Sequence, residues 1–143
     1  MTSFQLGIDT SDHLIVRIVG RPDEHDDWLD AAITVRAGIF SAEIPMNVAT
    51  CDFPPFRHQL ESLYRTLNGK AVFWTAEQQL GITCIGNDIG AVLVEGFVKD
   101  RVSDGNELRF QFAIDQTFLR ESIDGLQRIE AMFPNIVHPP FSQ

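Results

Sequence analysis

The sequence predicts an α+β domain, an antiparallel β-sheet of about seven to eight strands covered by two amphipathic helices. Three observations carry this reading. Apolar and polar residues alternate with a period of two through most of the chain. Two stretches, near 53–67 and 117–133, switch to spacings of three and four. A run of strands followed by one such stretch occurs twice, which suggests two similar halves.

Phe4 to Ile8 is expected to form a short first strand, followed by Leu14, Val16 and Ile18 alternating with Ile15, Arg17 and Val19. Ile33, Val35 and Ala37 alternate next, then Phe40, Ala42, Ile44 and Met46, with Gly38 suited to the tight connection between them. In the first helix Phe53, Phe56, Leu60, Leu63 and Leu67 make one apolar stripe. Asp52 is placed to cap it, Pro54 and Pro55 are tolerated in its first turn, and Asn68-Gly69 ends it. Short strands are expected at 70–75 and 78–85, then Ala91 to Lys99, then Leu108, Phe110, Phe112 and Ile114. Gly105-Asn106 supplies turn chemistry between the last two. The second helix carries Leu119, Ile123, Leu126, Ile129 and Phe133 on one side, and Pro134 stops it.

The 143 residues fit one domain, 1–143: strands and first helix over 1–69, strands and second helix over 70–134, and an extended tail over 135–143. A shift of 63 lays the helices on each other, with Asp52 on Asp115, Arg57 on Arg120 and Glu61 on Asp124. A duplication would produce this, although amphipathic helices resemble one another in any case.

Composition narrows the function. The hydrophobic fraction of 44% and eleven Phe residues are ample for a core. No apolar run approaches the ~20 residues of a membrane span, and no secretory signal is visible, so the expected compartment is the cytoplasm. Two cysteines, Cys51 and Cys84, read as packed thiols and not as a disulfide framework. Twenty acids against eleven bases give a net charge of −9, which repels phosphate backbones and disfavours nucleic acid as a partner. The same field attracts basic proteins, and it also serves solubility alone.

The densest polar cluster is Asp23-Glu24-His25-Asp26-Asp27, with Asp30 beyond. It reads as a solvated loop, then as an acidic docking surface, and last as a cation site, because no spacing of calcium ligands is present. Trp28, a large ring among acids, is a hot-spot candidate. Trp74 and Phe97 fall on strands, where core or same-face packing is usual. The second acidic stretch runs from Asp100 through Asp104 to Glu107. His13, His25, His58 and His138 are scattered, without the spacing of a helical zinc site, and a Cys51–His58 nucleophile pair lacks a third group to orient it. No catalytic residue, cofactor or metal is assigned.

Two segments carry a family resemblance. The first is Asp52-Phe53-Pro54-Pro55-Phe56-Arg57-His58-Gln59-Leu60 through Leu63-Tyr64 and Leu67-Asn68-Gly69-Lys70-Ala71. The second is Gly105-Asn106-Glu107-Leu108-Arg109-Phe110, then Ile114-Asp115-Gln116-Thr117-Phe118-Leu119, ending at Phe133-Pro134. Together they resemble the WapI-type immunity proteins, small bacterial proteins that neutralise the toxic C-terminal domain of a contact-dependent, wall-associated toxin. Phe118 stands where a Tyr is expected, and Pro54-Pro55 replaces a more polar helix start. The resemblance implies a non-catalytic cytoplasmic protein whose partner is a cognate, basic toxin. The residues put forward for contact are Asp23, Glu24, Asp26, Asp27, Trp28 and Asp30, then Asp100, Asp104 and Glu107. The competing reading is an adaptor or homodimeric scaffold that pairs exposed sheet edges.

Overall fold

A computed structural model describes residues 2–136. The first half forms a four-stranded antiparallel meander, β1 (Thr2–Leu6), β2 (His13–Gly20), β3 (Trp28–Ala37) and β4 (Phe40–Ala49), followed by helix α1 (Phe53–Thr66). The second repeats the plan with β5 (Lys70–Trp74), β6 (Leu80–Gly86), β7 (Ala91–Lys99) and β8 (Glu107–Asp115), then α2 (Leu119–Met132). The eight strands therefore form two sheets, and each half ends in its own 14-residue helix. The start of β1, the end of β5 and the start of β6 differ from the expected bounds by one or two residues, and Ile8 lies in the β1–β2 turn. The expected tail over 135–143 lies largely outside the described residues, as does His138.

The alternating residues bury as the period requires. Leu14, Val16 and Ile18 of β2 face Val35, Ile33 and Ala31 of β3 in register, and all six are buried. One hydrophobic cluster draws on both sheets and both helices. Its aromatic part is Phe4 of β1, Phe53 and Phe56 of α1 and Phe73 of β5, with ring centroids 5.4–6.4 Å apart. Rings at this spacing, met edge-on or tilted, add attraction beyond their area. Phe40, on the inward phase of β4 but at its first position, is exposed instead.

Helix α2 lies close against β1. Gly125 makes this possible, since a Cβ there would stand 2.6 Å from the Ser3 carbonyl oxygen and 2.9 Å from Phe4 Cα. One turn earlier the Ser122 hydroxyl donates to the Gln5 carbonyl. Helix α1 covers β5, where the Gln59 side chain accepts the Val72 N–H at 2.7 Å. That bond occupies an edge-strand donor otherwise open to pairing.

Both helices start through a 3₁₀ turn, at 50–52 and at 116–118. Asp115 caps the second forward, accepting from Thr117 N at 2.9 Å. Asp52 makes no forward cap to α1; its carboxylate reaches back to Ala49 N at 2.9 Å. Helix α1 stops at Leu67, which adopts the left-handed conformation at φ 66° and offers its carbonyl to Asp88 N at 2.9 Å.

Candidate interaction surface

The connections divide between two ends of the molecule. At one end lie the β2–β3 loop, the β4–α1 junction, the β5–β6 turn and the β7–β8 loop. Thr50 N donates to Asp27 O at 2.9 Å, the Asp52 carboxylate meets the Ala76 backbone, and Gln79 Nε2 donates to Lys99 O at 3.0 Å. Both acidic stretches singled out in the sequence fall here, on elements joined through this chain of contacts.

Much of the β2–β3 loop is internally tied. Arg21, at its start, donates to Asp26 O at 2.6 Å, pairs with Asp27 Oδ1 at 3.3 Å, and donates to Pro134 O at 2.7 Å. Asp27 Oδ1 also accepts Ile136 N at 2.7 Å, so the segment after α2 is bound to the loop. Asp23 accepts His25 N and Asp26 accepts Trp28 N, both at 2.9 Å. Asp30 accepts from Asn47 Nδ2 at 2.8 Å across the β3–β4 pair. Glu24 is exposed, 3.6 Å from His25 Nε2. Trp28 opens β3, paired with Ala49, and is 38% exposed. Arg21 was not singled out in the sequence, though a lone cation opening an acid-rich loop was a visible signal.

The β7–β8 loop spans 100–106. Asp100 holds Asn106 through its backbone N–H at 2.8 Å and its side-chain amide at 3.1 Å, so Asp100 and Asn106 close the loop. These bonds, the side-chain amide foremost, hold the Asp100 carboxyl below its ordinary range. Asp104 is exposed 3.9 Å from Arg101, and Glu107 pairs with Arg109 Nε at 2.6 Å.

On the outer face of the second sheet Trp74 meets Phe97 edge-on, with centroids 5.6 Å apart at 87°. Gly81 leaves room for this contact, because a Cβ there would lie 2.4 Å from Phe97 and 3.0 Å from Trp74 Nε1. Lys99 and Arg109 stand over the Phe97 ring at 5.7 and 5.8 Å.

The thiols diverge. Cys84 is buried on β6, and burial pushes its pKa up to about 12. Cys51 is exposed, contrary to the packed thiol expected, because its 3₁₀ turn directs it outward. Partial burial, then the neighbouring Asp52, raises its pKa, so no helix dipole activates it. His58 faces Glu61, Nδ1 to Oε1 at 3.7 Å, and no hydrogen bond joins it to Cys51 among the described residues. Among the same residues no group of three or more His, Cys, Asp or Glu is arranged to hold a metal ion. No helix among the described residues is long and apolar enough to cross a membrane.

A family model described as the immunity protein WapI-like family matches residues 5–134. No curated protein and no solved structure matched the chain. The matched span takes in both sheets and both helices apart from the first residues of β1, and on that basis the chain belongs to the WapI-like immunity protein family.

Proposed function

We propose that this protein is a cytoplasmic, non-catalytic immunity protein that binds a cognate toxin's C-terminal toxic domain one-to-one and occludes it. The family match over residues 5–134 carries the reading. The net charge of −9 supports a basic partner, because an acidic surface raises the encounter rate with a cationic protein and leaves nucleic acid disfavoured. Asp23, Glu24, Asp26, Asp30, Asp100, Asp104 and Glu107 contribute to that field from one end of the molecule. Such steering makes association slow with added salt more than dissociation quickens.

The direct test is co-expression rescue. The C-terminal toxic domain encoded immediately upstream is produced with and without this protein, and surviving cells are counted. Specific rescue supports the reading. Death in both arms, with this protein present in soluble form, rejects that pairing and favours an adaptor.

A further inference from the structure

The edge strands of the two sheets are β1, β4, β5 and β8, and the first three are closed. Helix α2 lies against β1, with its Ser122 hydroxyl on the Gln5 carbonyl and Gly125 against Ser3. On β5 the Val72 N–H is taken by Gln59. In β4 the bond from Thr50 N to Asp27 O sets the alternation, so odd-numbered residues turn their backbone groups outward. Pro45, which has no N–H, falls in that outward set, and the Ala49 N–H is held by Asp52.

Strand β8 has no such device. The bond from Gln116 N to Gly90 O turns its even-numbered residues toward β7. Arg109, Gln111 and Ala113 therefore present N–H and C=O groups at the open edge, and all three residues are exposed. The strand contains neither proline nor lysine, and among the described residues no hydrogen bond from another element reaches those backbone groups. Native sheets blunt an edge of this kind unless it pairs.

The side chains of β8 indicate its partner. About Gln111 the strand is close to a palindrome: Phe110 and Phe112 flank it, and Leu108 and Ile114 stand two positions further out. A second copy of β8, antiparallel about a twofold axis at Gln111, sets Phe110 opposite Phe112 and Leu108 opposite Ile114. The outward residues then face outward residues, Gln111 against Gln111 and Arg109 against Ala113, so each free N–H meets a free C=O. The one like-charged pair is Glu107 opposite Asp115. Arg109 stands beside it, 2.6 Å from its own Glu107 and diagonal to the second copy's Asp115. A depression of about 460 Å³ borders Ile114 and leaves open space at the end where the second copy's Leu108 would lie. An unrelated strand has no reason to match this order.

We propose that the protein forms a homodimer by antiparallel pairing of β8 with β8, which joins two four-stranded sheets into one. The inference stands apart from the immunity reading. The test measures the molar mass of the full chain by light scattering across concentrations, for wild type, Gln111→Pro, Gln111→Lys and Glu43→Lys. Gln111→Pro removes an outward N–H, as Pro45 does in β4, and leaves the ladder to β7 intact. Gln111→Lys places two ammonium groups together at the axis, from a position exposed enough to keep the fold, and it decides the matter should the proline variant not fold. Glu43→Lys makes a comparable change at an outward position of β4. Wild type and Glu43→Lys should dimerise, and both Gln111 variants should raise the dissociation constant by about tenfold or more. A wild type still monomeric at about 0.1 mM overturns the proposal, as does a dimer that neither Gln111 variant weakens. Equal weakening by Glu43→Lys also overturns it, because the effect then belongs to charge and not to this edge. A monomeric wild type that binds the upstream-encoded toxic domain, with binding lost in Gln111→Pro, gives the edge to a strand of that partner instead.

Discussion

Arg57 of α1 grips Glu130 of α2, Nε donating to one carboxylate oxygen and Nη2 to the other at 3.1 Å, while Nη1 reaches Glu61 at 3.0 Å. The fork holds the two helices together, and both side chains are about four-fifths covered. Under the shift of 63 the Arg57–Glu61 pair corresponds to Arg120–Asp124, 3.7 Å apart on one helix. Arg57→Ala is expected to destabilise the fold by about 1–2 kcal/mol, read as a lower urea midpoint at unchanged slope. Arg57→Lys should recover only part, because an ammonium cannot meet both oxygens. Wild-type stability in Arg57→Ala would show that the helices are held by their apolar faces alone.

Gly125 inverts the usual rule for glycine in a helix. In an open position Gly→Ala stabilises by roughly 1 kcal/mol. Here the added methyl meets backbone atoms of Ser3 and Phe4 at 2.6 and 2.9 Å, so α2 must move off β1. Gly125→Ala should destabilise by about 1–3 kcal/mol in urea unfolding, through overpacking. A stabilised variant would mean that α2 shifts without loss.

How far the sequence could be read follows from what each pattern encodes. The spacing of Phe53, Phe56, Leu60 and Leu63 fixed a helix face, and all four are buried. Alternation fixed strands but not their grouping, since a period of two is the same whether strands share one sheet or two. Leu67 continues the apolar stripe, yet the helix ends there, and its carbonyl accepts the Asp88 N–H from a distant turn that no spacing within the helix reveals. Charge marked the Asp23–Asp30 loop, but its ties from Arg21 and Asp27 to Pro134 and Ile136 join residues more than a hundred positions apart.

The two thiols should report the fold directly. Cys84, buried with its pKa near 12, is expected to stay unmodified in the native protein at pH 8, while exposed Cys51 reacts. Because burial and Asp52 raise the Cys51 pKa, its alkylation rate should keep climbing above the pH at which a model thiol levels off. One thiol per chain before denaturation and two after is the expected count from mass spectrometry. Two before denaturation would place Cys84 in a part of the sheet that opens readily.

Asp52 and Asp115 occupy matching positions before the two helices, and their carboxyls are shifted in opposite directions. Hydrogen bonds from Thr117, its backbone N–H first, hold Asp115 below the ordinary aspartate value. Its contribution to stability is present above the unfolded value of 3.8 and is lost as pH falls through the lowered one. Burial raises Asp52, so its ionisation opposes folding; what this position contributes is full below 3.8 and declines as pH rises through the raised value. Urea midpoints of Asp115→Asn and Asp52→Asn, each taken relative to wild type from pH 3 to pH 7, should therefore diverge. Asp115→Asn should fall behind wild type as pH rises, and Asp52→Asn should gain on it, whatever constant offset the lost hydrogen bonds impose. Parallel curves would show that the two junctions, alike in sequence register, also share one electrostatic environment.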